Sequence, residues 1–385
     1  MALQQALAGL KVLDLSMNLP GPYLTWLLAG LGARVLKLEP PGGDYMRRAG
    51  AVGPLYFQAV NRNKESLVLN LKHPQGVATF FRLLEQYDVV VEGFRPGTLE
   101  RLGIGYEEMA RRRPELILVS INGYGSEGPY RDRAGHDLNY LALSGVLAMS
   151  GSRGGPPGIS GVQLADLFGG SLLALAGLLV ALLQRERTGR GQRVEAAMFD
   201  GALSLASMVA AGVASGVEEP RPGSMMLNGA APCYNIYTTA DGGHMALGAL
   251  EPKFWQEFCR AVDRPDLLER QFDPSAVEEV ATVFAGRSRA RWEELFAELN
   301  CCCEPVLDLK EVLAGDLARA RGMVSDAGRG FLASPLRLPD SPPVPDRPAP
   351  ELGQHSRQVL ERAGLSPAEV EGLITLGVVR QKEGP

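Results

Sequence analysis

The sequence predicts an α/β protein with a large, Rossmann-like parallel-sheet domain and a smaller α+β domain. In the first half, short and nearly continuous apolar segments alternate with segments whose apolar residues recur at helical spacing. This pattern is typical of a parallel sheet covered on both faces. From about residue 229, two strand-like segments flank an Asp-Gly turn and short helices follow. The length of 385 residues also favours two domains.

The predicted elements of the larger domain alternate along the chain. Strands are predicted at 12–16, 34–39, 66–71, 88–94, 116–122 and 192–198, and helices at 20–32, 73–87, 137–149, 165–184 and 199–215. Parallel α/β sheets bind ligands beyond the carboxyl ends of their strands. Here these ends are rich in Gly and Pro, as binding loops often are. Near the C-terminus, a proline-rich linker at 338–350 precedes His355, which is predicted to be exposed.

Composition and charge argue against several classes of protein. The net charge of −5, with scattered Lys and Arg, disfavours a nucleic-acid surface. The longest uncharged stretch, 167–183, is slightly short for a membrane span and predicts a buried core helix instead. The five cysteines include the run Cys301–Cys303, which suits neither disulfides nor a zinc site, and no metal site is predicted. Cysteine usage and the absence of a recognisable signal sequence predict a cytoplasmic protein.

Three ionisable residues stand at predicted helix starts: His136, Asp166 and Glu251. An imidazole transfers protons near neutral pH, but His136 could equally cap or pack the start of its helix. Asp166 could equally complement the positive end of a helix dipole. Spacing alone does not bring the three together. The turn after the first strand lacks G-x-G-x-x-G, which disfavours a nicotinamide dinucleotide site.

Several stretches of the chain resemble a known family. The most specific are AGHDLNYLALSG at 134–145 and GALEPKFW at 248–255, and LPGPYLTWLLAGLGARVLKLEPP at 19–41 extends the likeness. Over nearly its whole length the chain resembles the family III CoA-transferases (the CaiB/BaiF superfamily), and within them the alpha-methylacyl-CoA racemase branch. The resemblance implies an acyl-CoA thioester substrate, no cofactor beyond its CoA moiety, and an interlocked homodimer.

The resemblance and the change of pattern together suggest a domain division. A large CoA-binding domain is expected over 1–200 and is completed by 331–385. A connecting helix and linker are expected over 201–228, and a small α+β domain over 229–330.

The resemblance also implies a mechanism in which His136 and Asp166 are the catalytic pair and Glu251 is a partner of His136. Inverting the carbon alpha to a thioester needs an acid or base on each face. The enolate oxygen needs donors, and the amide of Asp166 is a candidate. The expected reaction is racemisation of 2-methylacyl-CoA thioesters. The runner-up is CoA transfer, in which Asp166 attacks the thioester and forms a mixed anhydride. A CoA-binding protein without catalysis is a third alternative.

Expected CoA contacts follow from the same resemblance. The nucleotide is expected along 69–72 and near 135–140, with cations for its phosphates. Racemase relatives tend to carry an arginine after the second strand, where this chain has Pro40. Either Lys37 or Arg47 substitutes for it, or the phosphate contact is lost. The predicted contacts are Arg62, Leu69, Asn70, Leu71, Lys72, Arg95, Arg101, Arg133, Gly135, Asp137, Leu138, Asn139 and Tyr140.

Overall fold

The computed structural model of the chain describes residues 5–325 and 331–382. Within these residues the chain forms two units. The first comprises 5–144, 162–204, 318–325 and 331–382, and the second comprises 145–161 and 205–317. The predicted domain division at residues 200, 228 and 330 stays a prediction.

Each unit contains its own β-sheet. The strands are β1 Lys11–Asp14, β2 Arg34–Glu39, β3 Glu65–Leu69, β4 Val89–Glu92, β5 Ile117–Asn122, β6 Arg193–Ala197, β7 Tyr234–Thr238, β8 His244–Gly248, β9 Cys303–Pro305 and β10 Val379–Arg380. In the described part of the first unit, seven strands form one sheet in the order β10-β3-β2-β1-β4-β5-β6, parallel except for β10. The second unit contains the antiparallel sheet β7-β8-β9. The predicted fold class is confirmed.

The order of the strands reverses beside β1. From β1 the chain moves outward to β2 and β3, and then returns to β4 on the other side of β1 before it continues to β5 and β6. Val12 of β1 accordingly pairs with Val35 of β2 and with Val89 of β4. In an open α/β sheet, such a switch point leaves a crevice beyond the carboxyl ends of the strands, and ligands bind there.

Helices connect the strands. The α-helices are α1 Pro20–Gly30, α2 Gly53–Asn61, α3 Pro74–Leu84, α4 Thr98–Arg101, α5 Tyr106–Arg112, α6 Asp137–Leu143, α7 Val146–Met149, α8 Leu173–Thr188, α9 Met198–Leu205, α10 Ser207–Ala214, α11 Pro252–Ala261, α12 Val277–Phe284, α13 Arg289–Phe296, α14 Leu309–Ala314, α15 Asp316–Ala320, α16 Ser356–Arg362 and α17 Pro367–Thr375. Short 3-10 helices span Tyr45–Arg48, Met226–Asn228, Pro265–Arg270 and Pro274–Ala276, and the π-helical segment Ala165–Leu172 precedes α8.

Two of the predicted helices are each broken in two. The predicted helix 137–149 is interrupted because Gly145 takes a left-handed conformation (φ 81°) between α6 and α7. The predicted helix 199–215 is interrupted at Ala206, between α9 and α10. The sequence pattern also missed α2, α4, α5 and β10. Of these, α4 and β10 are four and two residues long, too short to show a periodic pattern.

The apolar segment predicted as a core helix forms one helical run, Ala165–Thr188. Ala174 and Leu178 are buried on one of its faces, and α8 packs against β5 and β6. On the other face, the side chains of Val180 and Leu183 are 62% and 57% exposed. By length and apolar composition the run could cross a membrane, but the core helices of soluble proteins also pass that test. Its packing against the sheet is that of a core helix.

An aromatic cluster forms the core of the second unit. Trp255 of α11 stacks on Phe258 of the same helix, with ring centroids 5.3 Å apart. Phe284 of α12 lies 5.2 Å from Trp292 of α13. Aromatic pairs at such distances add stability beyond the area they bury. The cluster therefore fixes three helices around one core.

The cysteine run lies at the start of β9. Cys301 and Cys303 are buried, whereas Cys302 is exposed. Burial raises the pKa of the Cys301 thiol to about 11. Because the thiolate is the reactive form, a raised pKa makes this thiol unreactive at neutral pH. Burial is also the first cause of the raised pKa values of the Cys302 and Cys303 thiols, so none of the three is an activated nucleophile at neutral pH.

The C-terminal segment extends the first sheet at the β3 edge. There β10 pairs with β3, and α16 packs on the same strand. His355, predicted to be exposed, is only partly exposed in the structure. Its Nδ1 accepts a hydrogen bond from the Ser66 N–H (3.2 Å), and its own N–H donates to the Ser66 carbonyl (3.0 Å). Only an unprotonated Nδ1 can accept such a bond.

Acidification is expected to weaken this edge of the sheet. Burial lowers the pKa of His355, Glu65 opposes that shift, and Arg362 and Arg347 reinforce it. Because the folded-state pKa lies below the unfolded value, the contribution of this histidine to stability is complete above the unfolded pKa of about 6.5 and is lost as the pH falls from there through the folded-state pKa. Urea unfolding should show a larger loss of stability on acidification for the wild type than for His355→Asn, whose Oδ1 takes the place of Nδ1 and accepts the bond at every pH. Equal losses would contradict this account of the edge.

Candidate active site

A cavity of about 450 Å³ lies beyond the carboxyl ends of β1, β4 and β5, at the switch point of the sheet. Its walls come from the loops after these strands and from the start of the Ala165 helix. His136 and Asp166 both line it, although they are 30 residues apart in sequence. A larger cavity of about 890 Å³ in the same unit is lined by neither residue. The smaller cavity is therefore the candidate active site.

Buried charges hold the loop that follows β1. Asp14 accepts hydrogen bonds from the N–H of Ser16 (3.0 Å) and the hydroxyl of Thr25 (2.6 Å), and it pairs with Lys64 (3.1 Å). The ammonium of Lys37 donates to the Ser16 carbonyl (2.9 Å). Burial acts to raise the pKa of Asp14. The charges of Lys64 and Lys37 and the hydrogen bonds from the hydroxyls of Ser16 and Thr25 outweigh burial and lower that pKa to about 2. Ser16 lines the cavity, and its backbone is therefore held by the ionised Asp14 and by Lys37.

A second buried carboxylate, Asp44, supports the same loop. It pairs with Lys37 at 2.9 Å, and both side chains are fully buried. Its Oδ1 accepts a hydrogen bond from the N–H of Asn18 (3.3 Å), a cavity residue with φ 65°. Left-handed conformations are uncommon outside glycine and cluster at functional sites. The bond to Asp44 helps to keep Asn18 in this conformation.

The backbone around His136 is fixed by two neighbours on α6. The Oδ1 of Asn139 accepts a hydrogen bond from the His136 N–H (3.0 Å), and the Tyr140 hydroxyl donates to the Gly135 carbonyl (2.7 Å). A Cβ at Gly135 would lie 2.7 Å from the Tyr140 ring, so a larger residue does not fit. Burial, and then the charge of Asp166, raises the pKa of Tyr140, which keeps its hydroxyl a neutral donor.

Asp166 lies in the first turn of the π-helical segment, a conformation often found at functional sites. The buried hydroxyl of Ser171 donates to the carbonyls of Pro20 (2.7 Å) and Asp166 (3.2 Å), and thereby ties this turn to the loop after β1. Burial, and then the negative charge of Asp137, raises the pKa of Asp166 to about 7. The Asp166 carboxyl can therefore gain or lose a proton near neutral pH, as a general acid or base must.

The amide of Asp166, a candidate donor to an enolate oxygen, has a partner within the protein. That N–H donates to Oδ1 of Asp137 at 3.1 Å. The N–H of Ala165 donates to the same oxygen at 2.7 Å. An enolate oxygen would have to share the Asp166 donor with Asp137, and its predicted role stays a prediction.

The structure brings part of the predicted CoA set to the cavity. An arginine that the sequence analysis missed, Arg131, joins them there. It lies two residues before Arg133, and the density of arginines in this loop is the signal that could have identified it. The predicted contacts that line the cavity are Arg95, Arg133, Gly135, Asn139 and Tyr140.

The remaining contacts predicted at the end of β3 and beside the cavity do not line it. Leu69 belongs to the hydrophobic core, and residues 70–72 follow it at the end of β3, two strands away from β1. A CoA molecule extends well beyond its thioester, so the roles of these outlying residues stay predictions. They are Leu69, Asn70, Leu71, Lys72, Arg101, Asp137 and Leu138.

Arg62, predicted to contact a CoA phosphate, lies outside this cavity. It precedes β3 and so lies at the amino end of that strand, away from the carboxyl-end crevice. Its guanidinium is almost fully buried, pairs with Asp346 and donates to the Leu332 carbonyl. Because the Arg62 guanidinium already binds Asp346 and the Leu332 carbonyl, the prediction that it contacts a CoA phosphate in this cavity is corrected.

Lys37 and Arg47, the two possible replacements for the arginine that Pro40 displaces, each form an ion pair within the protein. Lys37 is fully buried and pairs with Asp44. Arg47 donates two hydrogen bonds to Glu39, each 2.7 Å long. Neither cation is available to a phosphate, because each is bound to a buried carboxylate.

Glu251 belongs to the second unit and immediately precedes α11. Its carbonyl accepts hydrogen bonds from the N–H groups of Phe254 (3.0 Å) and Trp255 (3.2 Å), and its side chain is exposed. Pro252 follows it at the first helical position, where a missing N–H costs nothing. The predicted contact between Glu251 and His136 stays a prediction.

A histidine and an aspartate of raised pKa lie together at the switch point of the sheet, an arrangement that suits acid–base chemistry. The family model described as CoA-transferase family III matches residues 7–356. The chain belongs to this family and is an acyl-CoA enzyme of its superfamily.

Individual relatives include both racemases and transferases. The chain is 37% identical over 375 residues to alpha-methylacyl-CoA racemase of Homo sapiens, with 95% of each chain covered. It is 35% identical over 379 residues to succinyl-CoA–D-citramalate CoA-transferase of Chloroflexus aurantiacus, with 91% of this chain and 92% of that protein covered. A CaiB/BaiF family protein from Brucella suis has a TM-score of 0.82 at 28% identity, over 94% of this chain and 100% of that one.

Proposed function

We propose that the chain racemises 2-methylacyl-CoA thioesters by paired proton transfer at the alpha carbon. The supporting observation is that His136 and Asp166 line one cavity and that burial raises the pKa of Asp166 to about 7. One group removes the alpha proton, and the other returns a proton to the opposite face of the enolate. In the reverse reaction the two exchange roles, so each must gain and lose a proton near neutral pH.

Arginines around the cavity suit the CoA part of such a substrate. Arg95, Arg131 and Arg133 line the cavity. A guanidinium nitrogen of Arg101 and one of Arg131 lie 3.2 and 3.3 Å from the same point, the position of a Cβ on Gly97. The two guanidinium groups therefore lie close together beside the backbone of Gly97, and Arg131 also pairs with Asp132 at 3.6 Å. Two neighbouring guanidinium groups favour an anion beside them. We assign a phosphate of CoA to this pair.

CoA transfer is the second candidate, and the identity of 35% to a transferase favours it. In that reaction Asp166 attacks the thioester and a mixed anhydride forms. A nucleophilic carboxylate must be ionised, whereas the raised pKa leaves Asp166 partly protonated at neutral pH. His136 lines the same cavity and can act as the second acid or base that racemisation needs, which favours racemisation over CoA transfer.

Isotope uptake separates the two reactions. The protein is incubated in deuterated buffer with one enantiomer of 2-methylbutanoyl-CoA and no acceptor acid, and the mass of the acyl group is followed. Racemisation predicts deuterium at the alpha carbon together with loss of optical purity. An unlabelled acyl group, with CoA transfer once a free carboxylic acid is added, would instead assign the transferase reaction.

The proposal includes a homodimer that acts in the cytoplasm without a cofactor other than the CoA moiety. Val180 and Leu183 are exposed on α8. Exposed apolar surface of this kind often marks an interface between proteins. Sedimentation of the purified chain tests the dimer, and interlocking of two chains stays a prediction.

A further inference from the structure

Asp137 connects two segments that are distant in sequence. Its Oδ1 accepts hydrogen bonds from the N–H groups of Ala165 (2.7 Å) and Asp166 (3.1 Å), which lie 28 and 29 residues further along the chain. The first N–H groups of a helix have no acceptor within it, and a carboxylate suits the positive end of the helix dipole. The start of the helix that carries Asp166 is therefore fixed by α6, which begins directly after His136.

We propose that Asp137 is a positioning residue for proton transfer, whose carboxylate ties the backbone of Asp166 to that of His136 and places a negative charge beside the Asp166 carboxyl. The inference rests on the proposed function and extends it. One residue holds both members of the catalytic pair, because Asp137 follows His136 directly and binds the Asp166 amide through its side chain. The resemblance implies a CoA contact for Asp137, but the structure uses its carboxylate at the helix start.

The charge of Asp137 has a separate consequence from its hydrogen bonds. Burial is the larger cause of the raised pKa of Asp166, and the charge of Asp137 is the second. The neighbouring Tyr140 hydroxyl is neutral, since its own pKa is raised. The titratable and charged groups that share the cavity with Asp166 are His136, Tyr124, Tyr140, Arg95, Arg131 and Arg133.

Two substitutions separate the two effects. Asp137→Asn keeps an oxygen that accepts both N–H groups but removes the charge. We expect it to retain kcat and to move the pH limb set by Asp166 to lower pH. Asp137→Ala removes the acceptor, and we expect kcat to fall by about tenfold or more with little change in KM, because the catalytic carboxyl loses its alignment. Glu127 is an exposed carboxylate in the loop that leads to α6, so Glu127→Gln is the matched control. It should change neither kcat nor the position of the pH limb.

The outcomes that would overturn the proposal are distinct. A raised KM in both Asp137 variants, with the pH limb unmoved, would assign Asp137 to CoA binding instead. Equal loss of kcat in the Asn and Ala variants would contradict the positioning role, because Asn keeps the acceptor.

Carbon-13 NMR of the Asp166 carboxyl, titrated without substrate, makes the test independent of the reaction. A lower pKa of Asp166 in Asp137→Asn would support the inference even if the chain proved to be a transferase. An unchanged titration would overturn the inference while leaving the proposed racemisation intact.

Discussion

His136→Ala and Asp166→Ala are each expected to lower the rate of racemisation by about 10³-fold, because general acid–base groups contribute roughly 10²–10⁴-fold to a proton transfer. Both residues line the same cavity, and in the proposed mechanism each serves one face of the alpha carbon. The loss of optical purity of a single enantiomer of 2-methylbutanoyl-CoA measures the effect. Asp166→Asn, which preserves the volume of the side chain but cannot titrate, should lose as much as the alanine variant.

Matched controls distinguish this effect from general damage. Asp200→Ala removes an exposed carboxylate from the first turn of another helix, α9, and His244→Ala removes an exposed imidazole from β8. Both should racemise the substrate at the wild-type rate. A His136 or Asp166 variant that is folded and keeps the wild-type rate of racemisation would remove that residue from the mechanism.

Lys37→Ala is expected to lower the free energy of unfolding by about 3–5 kcal/mol, because removing one partner of a buried ion pair leaves uncompensated charge. Lys37 is fully buried, pairs with Asp44 at 2.9 Å, and interacts electrostatically with Asp14. Both carboxylates would remain buried without it. Urea unfolding at neutral pH measures the loss.

The control for this prediction is an exposed ion pair. The side chains of Arg82 and Glu369 are 42% and 50% exposed, so Arg82→Ala should cost less than about 1 kcal/mol. The double variant Lys37→Met with Asp44→Asn removes both charges. Its loss of unfolding free energy should be smaller than the sum of the losses in Lys37→Met and Asp44→Asn alone. Additive losses in that cycle would contradict a direct coupling between Lys37 and Asp44.

Local pattern predicted the sheet well because strands buried on both faces leave nearly continuous apolar runs. The predicted strand 34–39 matches β2 at both ends. By contrast, β10 contains only two residues, and its pairing with β3 depends on where the C-terminal segment packs. The break at Gly145 was missed because apolar residues continue on both sides of it, so the periodic pattern alone indicates one helix.

The candidate site was predictable in its residue types but not in its connections. Helix starts and side-chain chemistry indicated His136 and Asp166, while the family resemblance, and not their spacing, paired them. The partner of Arg62 is Asp346, which lies 284 residues away in sequence, so charge pattern could not show that this arginine is occupied. The bond from the Asp166 amide to Asp137 likewise depends on tertiary structure.

The position of deuterium early in the reaction is the most direct test of paired proton transfer. One enantiomer of 2-methylbutanoyl-CoA is incubated with the wild-type protein in deuterated buffer, and the two enantiomers are separated while conversion is still low. Two groups on opposite faces predict deuterium in the inverted product and hydrogen in the recovered starting enantiomer. Deuterium that accumulates first in the starting enantiomer, or inversion without deuterium, would contradict the pairing of His136 with Asp166.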